Sequence, residues 1–222
     1  MLKFYYSLAP NPMKVALFLE EAGLPYEAVP VDTRRGEQHK PEFLAINPNA
    51  KAPAIDDDGT IVFDSNAILL YLGEKTGKFI PPAALKGEML SWMFFISSGI
   101  GPYSGQSVHF ANHAPEKNEY AIKRYAFEAK RHWSILNDRL EGRDWLVGDS
   151  YSIVDMAAWG WERAAAFVLG AELDGLTNVQ RHFAAINARP AAERAGALKD
   201  KHAFKTEMDD EARRNMFRHL AA

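Results

Sequence analysis

Cysteine is absent from all 222 residues of this chain. The absence excludes disulfides, thiolate metal sites and a cysteine nucleophile within the protein. Any thiol chemistry that the protein carries out must therefore use a thiol that arrives with a ligand.

Long apolar runs and an excess of basic residues are also missing. No stretch approaches the roughly 20 apolar residues of a membrane span, and the N-terminus lacks the apolar core of a signal peptide. The net charge is −3, with 26 Lys and Arg against 29 Asp and Glu, and no basic stripe is present. We therefore expect a cytoplasmic protein that binds neither membranes nor nucleic acids.

The first part of the chain reads as a β-α-β unit. Leu2–Tyr6 has the composition of a short strand, the apolar residues of Met13–Ala22 fall at helical spacing, and Tyr26–Asp32 reads as a second strand. Asn11 lies in the turn between strand and helix, where α/β domains bind ligands. Its side chain is either an N-cap of the helix or a hydrogen-bond donor to a bound sulfur.

A turn, a proline and a hairpin follow one another after Phe43. Asn47-Pro48-Asn49-Ala50 is a turn signal, Pro53 stands at the entrance of a strand, and Asp56-Asp57-Asp58-Gly59 closes a hairpin. A proline at a strand entrance is usually an edge or bend device. If the peptide before Pro53 is cis, the N–H and C=O of Ala52 are turned outward and can pair with an extended peptide.

Asp64 and Ser65 stand where the return strand Thr60–Phe63 becomes a helix. Ser65 is a natural N-cap, and a helix start with a hydroxyl and free amides binds a carboxylate. The Asp64 carboxylate binds an ammonium group. The pair alone indicates only a capped helix, but after the loop and the proline it favours a site for the α-amino-acid end of a ligand.

The chain changes character after the glycine- and proline-rich stretch Gly73–Gly87, which we interpret as a linker. We predict an α/β domain at residues 1–78 and an all-α helical bundle at residues 86–222. The predicted helices of the bundle are Lys86–His113, Pro115–Glu141, Ser152–Leu169 and Asn178–Asn187. The spacing of Ser152 and Asp155 predicts a capping box, which is a folding device.

Aromatic and polar residues crowd the first helix of the bundle. Gly99-Ile100-Gly101-Pro102 predicts a kink, which would direct a polar group of residues at a cleft: Tyr103, Ser104, Gln106 and His109. His109 and His113 have the spacing of metal ligands on a helix, but no third ligand stands nearby, so we expect no metal site.

The stretch NPNAKAPAI, followed by FDSNAILLYL, resembles the N-terminal, thioredoxin-like domain of the glutathione transferases. The resemblance covers nearly the whole chain. It is greatest for the Nu-class bacterial and fungal nitrogen-regulator-type members, which share APN-x-x-K-V and NPN-x-[KR]-x-PA. It implies a cis Pro53, a γ-glutamyl group held by Asp64 and Ser65, and a glycine end held by Gln38 and Lys51.

The resemblance also assigns the remaining site. By alignment on Lys14, Ala9 stands where many transferase classes have a catalytic hydroxyl, so we expect Asn11 to contact the sulfur, with Ser7 as the second catalytic candidate. Tyr5 and Tyr6 are reserve candidates that equally suit strand packing. Together these expectations give two groups: the glutathione-binding residues Asn11, Gln38, Lys51, Ala52, Pro53, Asp64, Ser65 and Arg131, and an acceptor pocket at Tyr103, Gln106 and His109. For Arg131 alone, the residue type and position favour a surface charge of its helix over contact with a ligand carboxylate.

The function implied is a glutathione-dependent enzyme that reduces small-molecule disulfides or peroxides, with glutathione as co-substrate and no metal. Conjugation to, or ether cleavage of, a hydrophobic electrophile is the first alternative. A non-catalytic glutathione-binding or interaction protein is the second, because Ala9 lacks a hydroxyl. Family members are generally homodimers, and we expect the same here.

Overall fold

The computed structural model describes residues 1–220. Their contacts divide into two units, Met1–Leu72 together with the described part of Pro190–Ala222, and Gly73–Arg189. This division differs from the predicted domains 1–78 and 86–222 in two ways. The second unit already begins at Gly73, and the chain returns to the first unit after Arg189. Residues 221–222 of the predicted helical domain lie outside the described residues.

The N-terminal unit is built on a mixed sheet of order β2-β1-β3-β4. β1 pairs in parallel with β2 and antiparallel with β3, and β3 pairs antiparallel with β4. The elements in chain order are β1 (Leu2–Tyr6), α1 (Pro10–Ala22), β2 (Tyr26–Pro30), α2 (Pro41–Leu44), β3 (Ala54–Asp57), β4 (Thr60–Phe63) and α3 (Ser65–Thr76). The predicted β-α-β unit and hairpin are therefore confirmed.

α1 lies in the core of this unit because its apolar residues are not confined to one stripe. Met13, Val15, Leu17 and Phe18 are all fully buried. The helix ends at Gly23, whose φ of 65° is left-handed and whose amide donates to Leu19 O. A glycine adopts this conformation without the steric cost of a Cβ.

The C-terminal segment completes the N-terminal unit. α10 (Pro190–Gly196) packs on α1, and Arg194 Nε lies 2.9 Å from Glu20 Oε2. Farther on, the amide of Lys205 donates to Asp32 Oδ2 at 2.7 Å. α11 (Asp210–Met216) then contacts the loop after β2, where Asn215 Nδ2 donates to Arg34 O at 2.9 Å.

The second unit is all-α, as predicted. Its helices are α4 (Lys86–Phe95), α5 (Gly101–Asn112), α6 (Glu119–Arg139), α7 (Ile153–Glu162), α8 (Ala165–Leu169) and α9 (Thr177–Asn187). The predicted capping box is present at the start of α7. The Asp155 carboxylate accepts a hydrogen bond from the amide of Ser152, and the Ser152 hydroxyl accepts one from the amide of Val154.

The predicted kink between α4 and α5 is a π-helical segment, Ile96–Ile100. Segments of this kind often mark functional or tightly packed places in helices. Gly99 lies against the ring of His132, and a Cβ at this position would overlap Cδ2 of that ring. The segment therefore lets α6 approach the α4–α5 helix closely.

Candidate functional site

A cleft of about 280 Å³ in the N-terminal unit brings together most of the predicted ligand-binding residues. They come from the first turn of α1, from the loop before β3 and from the junction of β4 with α3. The lining residues are Asn11, Asn47, Asn49, Lys51, Ala52, Pro53, Phe63, Asp64 and Ser65. Residues that are distant in sequence thus meet at one end of the strands of the sheet.

Asp64, and not Ser65, caps α3. Its Oδ1 accepts hydrogen bonds from the amides of Asn66 at 2.9 Å and Ala67 at 3.1 Å. Its φ of 73° is left-handed, a conformation that Asp tolerates because its short side chain bonds to the local backbone. The prediction that Ser65 is the N-cap is therefore wrong, and the hydroxyl of Ser65 does not serve the helix.

The loop before β3 is held by Asn47, which the sequence indicated only as part of a turn. Asn47 is 1% exposed, its Nδ2 donates to Lys51 O at 2.6 Å, and its Oδ1 accepts from the amide of Asn49 at 3.0 Å. The peptide between Ala52 and Pro53 is cis, as expected. In the part of the chain that the structure describes, neither backbone polar group of Ala52 has a hydrogen-bond partner.

Asn11 lies inside the first turn of α1 and is not its N-cap. The helix begins at Pro10, and its N-cap residue Ala9 makes no side-chain hydrogen bond. This placement excludes the capping alternative for Asn11. The Asn11 side chain lines the cleft beside the positive end of the helix dipole.

Lys14 is a buried residue of this site that the sequence analysis did not identify. Its side chain lies beneath the cleft, with Nζ 3.3 Å from Ser65 Oγ and 3.3 Å from Asn66 Oδ1. Burial lowers the pKa of Lys14 to about 7, although the charge of Asp64 acts in the opposite direction. A lysine between the buried apolar residues Met13 and Val15 is the sequence signal that could have revealed it.

Ser7 lines a second cavity of about 340 Å³ in the same unit. Its walls are the turn after β1, the loop after β2 and the C-terminal segment, with Leu8, Ala9, Asp32, Thr33, Arg34, Phe204, Lys205, Thr206 and Met216. The Asp32 carboxylate is fully engaged, because it accepts from the amides of Arg34, Arg35 and Lys205. Arg34 Nε is buried and has no hydrogen-bond partner within residues 1–220.

Gln38 lies outside the cleft, contrary to its predicted placement. It is 4% exposed, and its Nε2 donates to Thr33 O at 3.2 Å and to Asn215 O at 3.1 Å. Both amide hydrogens are therefore used within the protein. The sequence could not show this, because Asn215 is 177 residues away.

The reserve candidates Tyr5 and Tyr6 are packing residues in the structure. Tyr6 is buried, and its hydroxyl donates to Leu198 O at 3.2 Å. His202 Nδ1 lies 2.9 Å from the hydroxyl oxygen of Tyr6. Burial also raises the pKa of Tyr6. The ring of Tyr5 lies 6.0 Å from that of Phe43.

Arg131 is held in place within the helical unit. Its Nε lies 3.0 Å from Glu128 Oε2, and its Nη2 lies 3.3 Å from Nε2 of His132. The His132 ring is stacked between Phe95 and Tyr103, at centroid distances of 5.3 and 4.7 Å. Glu128 and His132 therefore hold the Arg131 guanidinium in a fixed position on α6.

The other predicted acceptor-pocket residues occupy different environments on α5. Tyr103 and His109 are half-buried and Gln106 is exposed. Ser104 is fully buried and accepts a hydrogen bond from Trp133 Nε1 at 2.9 Å, so it packs between helices and does not face a cleft.

Among the described residues, no group of three or more His, Asp or Glu side chains is arranged to hold a metal ion. Across residues 1–220, none of the helices combines the length and the apolar character that crossing a bilayer requires.

Two family models match the chain. "Glutathione S-transferase, N-terminal domain" matches residues 2–74, and "Glutathione S-transferase, C-terminal domain" matches residues 92–190. Together they cover well over half of the sequence. The chain belongs to the glutathione S-transferase family.

Particular relatives are more informative. The disulfide-bond oxidoreductase YfcG of Escherichia coli is 46% identical over 172 residues, which are 74% of this chain and 80% of the relative. A glutathione transferase of Burkholderia graminis, solved with two glutathione molecules per subunit, superposes with a TM-score of 0.83 at 40% identity, covering 90% of this chain and 89% of that one. A transferase of Pseudomonas putida, solved with one glutathione disulfide per subunit, superposes with a TM-score of 0.80 at 35% identity. The superposition covers 87% of this chain and 90% of that one.

Proposed function

We propose that this protein is a glutathione-dependent disulfide reductase, which binds glutathione in the cleft of the N-terminal unit and uses its thiolate on small-molecule disulfides. The observation that carries the proposal is the meeting of Asn11, Lys51, Ala52, Asp64 and Ser65 in one cleft. These groups match the functional groups of an extended γ-glutamyl tripeptide in kind.

Each group has a distinct partner on the ligand. The Ser65 hydroxyl receives the glutamyl carboxylate, and the Asp64 carboxylate receives the glutamyl ammonium. The unpaired backbone groups of Ala52 bond to the cysteinyl residue as a neighbouring strand would. The Lys51 ammonium faces the glycyl carboxylate, and the Asn11 amide donates to sulfur.

The reaction needs no group on the protein that exchanges protons. The thiolate of bound glutathione attacks one sulfur of the disulfide, which forms a mixed disulfide and releases the other sulfur as a thiolate. A second glutathione thiolate then attacks the glutathionyl sulfur, so two glutathione molecules are oxidised to glutathione disulfide while the substrate is reduced to two thiols. With a peroxide, the thiolate takes one oxygen to become a sulfenic acid and the other oxygen leaves as an alcohol. The second glutathione thiol then attacks the sulfenic sulfur, which releases water and forms glutathione disulfide. Asn11 and the α1 dipole favour the thiolate, whose ordinary pKa is about 8.5.

The relatives support this choice among the reactions of the family. YfcG is named a disulfide-bond oxidoreductase, and the Pseudomonas putida structure holds glutathione disulfide. A cytoplasmic location, where glutathione is kept reduced, agrees with the proposal.

Replacement of Asn11 tests it. Asn11→Ala should reduce turnover with hydroxyethyl disulfide roughly ten- to a hundredfold, because one donor to a charged sulfur is lost. The dissociation constant of glutathione, measured by calorimetry, should remain nearly the same. Full activity in Asn11→Ala together with loss of activity in Ser7→Ala would instead indicate a hydroxyl-based mechanism. A wild-type protein that binds glutathione but turns over neither a disulfide, a peroxide nor an aromatic halide would indicate a binding protein.

Conjugation is the second candidate because the second cavity adjoins the same turn. Leu8, Phe204 and Met216 give this cavity apolar walls beside Ala9, which suits a hydrophobic electrophile. Ala9→Ser would restore the hydroxyl of the conjugating classes and should increase turnover of an aromatic halide. A wild-type rate with the halide that exceeds the disulfide rate would favour conjugation as the main activity.

We also propose that the chain forms a homodimer. β4 is the edge strand of the sheet, and its side chains Ile61 and Phe63 are 38% and 44% exposed. In the helical unit, Phe94 on α4 is 65% exposed. Apolar groups at an open sheet edge and on a helix face are typical of surfaces that a second copy covers.

A further inference from the structure

Lys14 is a buried cation without a buried anion as its direct partner. It is 1% exposed and lies one turn after Asn11, on the same side of α1. Its two hydrogen-bond partners, Ser65 Oγ and Asn66 Oδ1, are neutral groups at the start of α3. Within residues 1–220 no carboxylate comes within ion-pair distance of its ammonium.

A buried ammonium in this position is costly for the fold. Lysine is rarely buried without a paired charge, because desolvation penalises the charged form. A methionine or leucine of similar length would occupy the buried position without that cost. The position thus calls for an explanation beyond packing.

The chemistry of the ammonium group supplies one. A charged lysine has three donors and no acceptor, so the Ser65 oxygen must accept from it. The hydroxyl hydrogen of Ser65 then has to point away from Lys14. A neutral amine, in contrast, also accepts hydrogen bonds and can draw that hydrogen inward.

We propose that Lys14 is a positioning residue of the glutamyl end of the cleft, whose ammonium fixes the Ser65 hydroxyl as a donor toward the ligand carboxylate. The inference rests on the proposed binding of glutathione in this cleft. It adds a residue that touches no ligand atom and acts through Ser65.

The charges around Lys14 make this arrangement depend on pH. α3 contributes Ser65 and Asn66, which do not titrate, and Asp64 at its cap is the charge that acts on Lys14. The loop before β3 contributes Lys51 to the same cleft. Because burial brings the pKa of Lys14 to about 7, the ammonium is lost as the pH rises through neutrality, and affinity for the glutamyl carboxylate should fall with it.

A double-mutant cycle with a pH series tests the proposal. The probe is S-methylglutathione, which keeps the glutamyl end and has no titrating thiol, and its dissociation constant is measured by calorimetry at about pH 6 and about pH 8. The variants are Lys14→Met, Ser65→Ala and the double variant. Met13→Leu is the matched control on the same buried helix, and thermal unfolding confirms that each variant is folded.

We expect wild type to bind roughly five- to tenfold more weakly at the higher pH, and Lys14→Met to bind roughly tenfold more weakly at the lower pH with no further change on raising it. The double variant should bind no more weakly than Ser65→Ala, since Lys14 acts through Ser65. A pH step that persists in Lys14→Met, or losses that add in the double variant, would overturn the inference while leaving the proposed function intact. If Lys14→Met does not fold, Ser65→Ala alone tests the inference. Its affinity for S-methylglutathione should be the same at both pH values, and a weaker affinity at the higher pH would overturn the inference. Wild type that binds no glutathione at either pH overturns the proposed function as well.

Discussion

The Asp64 carboxylate has two roles in the structure and in the proposed site. Oδ1 caps α3 through the amides of Asn66 and Ala67, and the residue also lines the cleft. Asp64 caps the helix from a left-handed backbone, which Asp adopts more readily than most residues. The cap therefore preorganises the group that we assign to the ligand ammonium.

Asp64→Asn separates the capping of α3 from the proposed binding of the glutamyl ammonium. Asparagine also caps helices and tolerates a left-handed backbone, so the variant should fold with nearly the wild-type stability. Glutathione should bind roughly tenfold more weakly by calorimetry, because the charge opposite the glutamyl ammonium is lost.

A glutathione analogue without the amino group provides the control for this prediction. It should bind wild type and Asp64→Asn with equal affinity. A loss of affinity for the analogue as large as the loss for glutathione would contradict the assignment of Asp64 to the ammonium.

The sequence shows the residues of the cleft better than their local roles. Asn11, Ala52, Asp64 and Ser65 were identified from a turn, a proline and a helix start, which are local signals. The choice between Asp64 and Ser65 as the cap depends on one backbone angle, and the role of Lys14 depends on a contact 51 residues away. The apolar neighbours of Lys14 indicate its burial, but neither its contact with Ser65 nor the choice of cap can be derived from residue types at neighbouring positions.

Elements of the helical unit are held by buried polar groups as well as by apolar packing. His182 on α9 is fully buried, with Nδ1 2.7 Å from Glu162 Oε1 and Nε2 3.1 Å from Asp155 Oδ1 on α7. Burial alone would lower the pKa of His182, but the two carboxylates outweigh it and raise this pKa to about 10. The charged imidazole thus bridges both ends of α7 to α9.

The pH dependence of stability follows from this shift. The folded-state pKa of His182 is above its ordinary value of 6.5, so its stabilising effect is complete below about pH 6.5 and is lost as the pH rises through about 10. His182→Gln should lower the free energy of unfolding in urea by about 3 kcal/mol at acidic to neutral pH. The difference from wild type should shrink toward about pH 10.

His219→Gln, at an exposed position near the C-terminus, is the control and should show no such trend. If the difference in the free energy of unfolding between His182→Gln and wild type stays constant from neutral pH to about pH 10, His182 is not a charged group that bridges Asp155 and Glu162.

Gly99 offers a test of the π-helical segment. Gly99→Ala should destabilise the protein by about 1–3 kcal/mol, since the new methyl group would meet the His132 ring, whose Nε2 would lie 2.8 Å away. The matched control is Gly105→Ala on α5, where the nearest atom would be 3.9 Å away, and which should be neutral or slightly stabilising. Both are measured by thermal unfolding, and equal melting temperatures for the two variants would contradict the prediction.

The sequence predicts these elements with unequal success. The strand Leu2–Tyr6 and the capping box of Ser152 were predicted at their observed positions because periodicity and capping are local. The break at Gly99 was predicted, but its form was not, because a π segment depends on how closely His132 approaches. The sequence does not indicate α10 and α11, because their short apolar patterns are completed by contacts with α1 and with the loop after β2.

At the scale of the whole molecule, the proposed dimer makes a direct prediction. Wild type should sediment at about twice the chain mass of 24.9 kDa at micromolar concentration, and Phe94→Glu should shift the protein to the mass of one chain. The change places a charge on an exposed apolar position of α4.

Phe167→Glu is the matched control, because Phe167 is 66% exposed on the short helix α8. Sedimentation of wild type at one chain mass would contradict the dimer. A Phe94→Glu variant that stays dimeric would remove α4 from the interface.

The return of the chain after Arg189 has a consequence for biosynthesis. The N-terminal unit is assembled from the first 72 residues and from a segment that follows the entire helical unit. On the ribosome, the strands of the sheet emerge before the helical unit, but α10, which packs on α1, and Leu198, which accepts a hydrogen bond from Tyr6, emerge after it. The helical unit is a continuous stretch and can fold while synthesis continues. The N-terminal unit can reach its final packing only after the segment that follows residue 189 has been synthesised. A ribosome stalled after residue 189 would therefore carry the whole helical unit and an N-terminal unit that lacks α10 and α11.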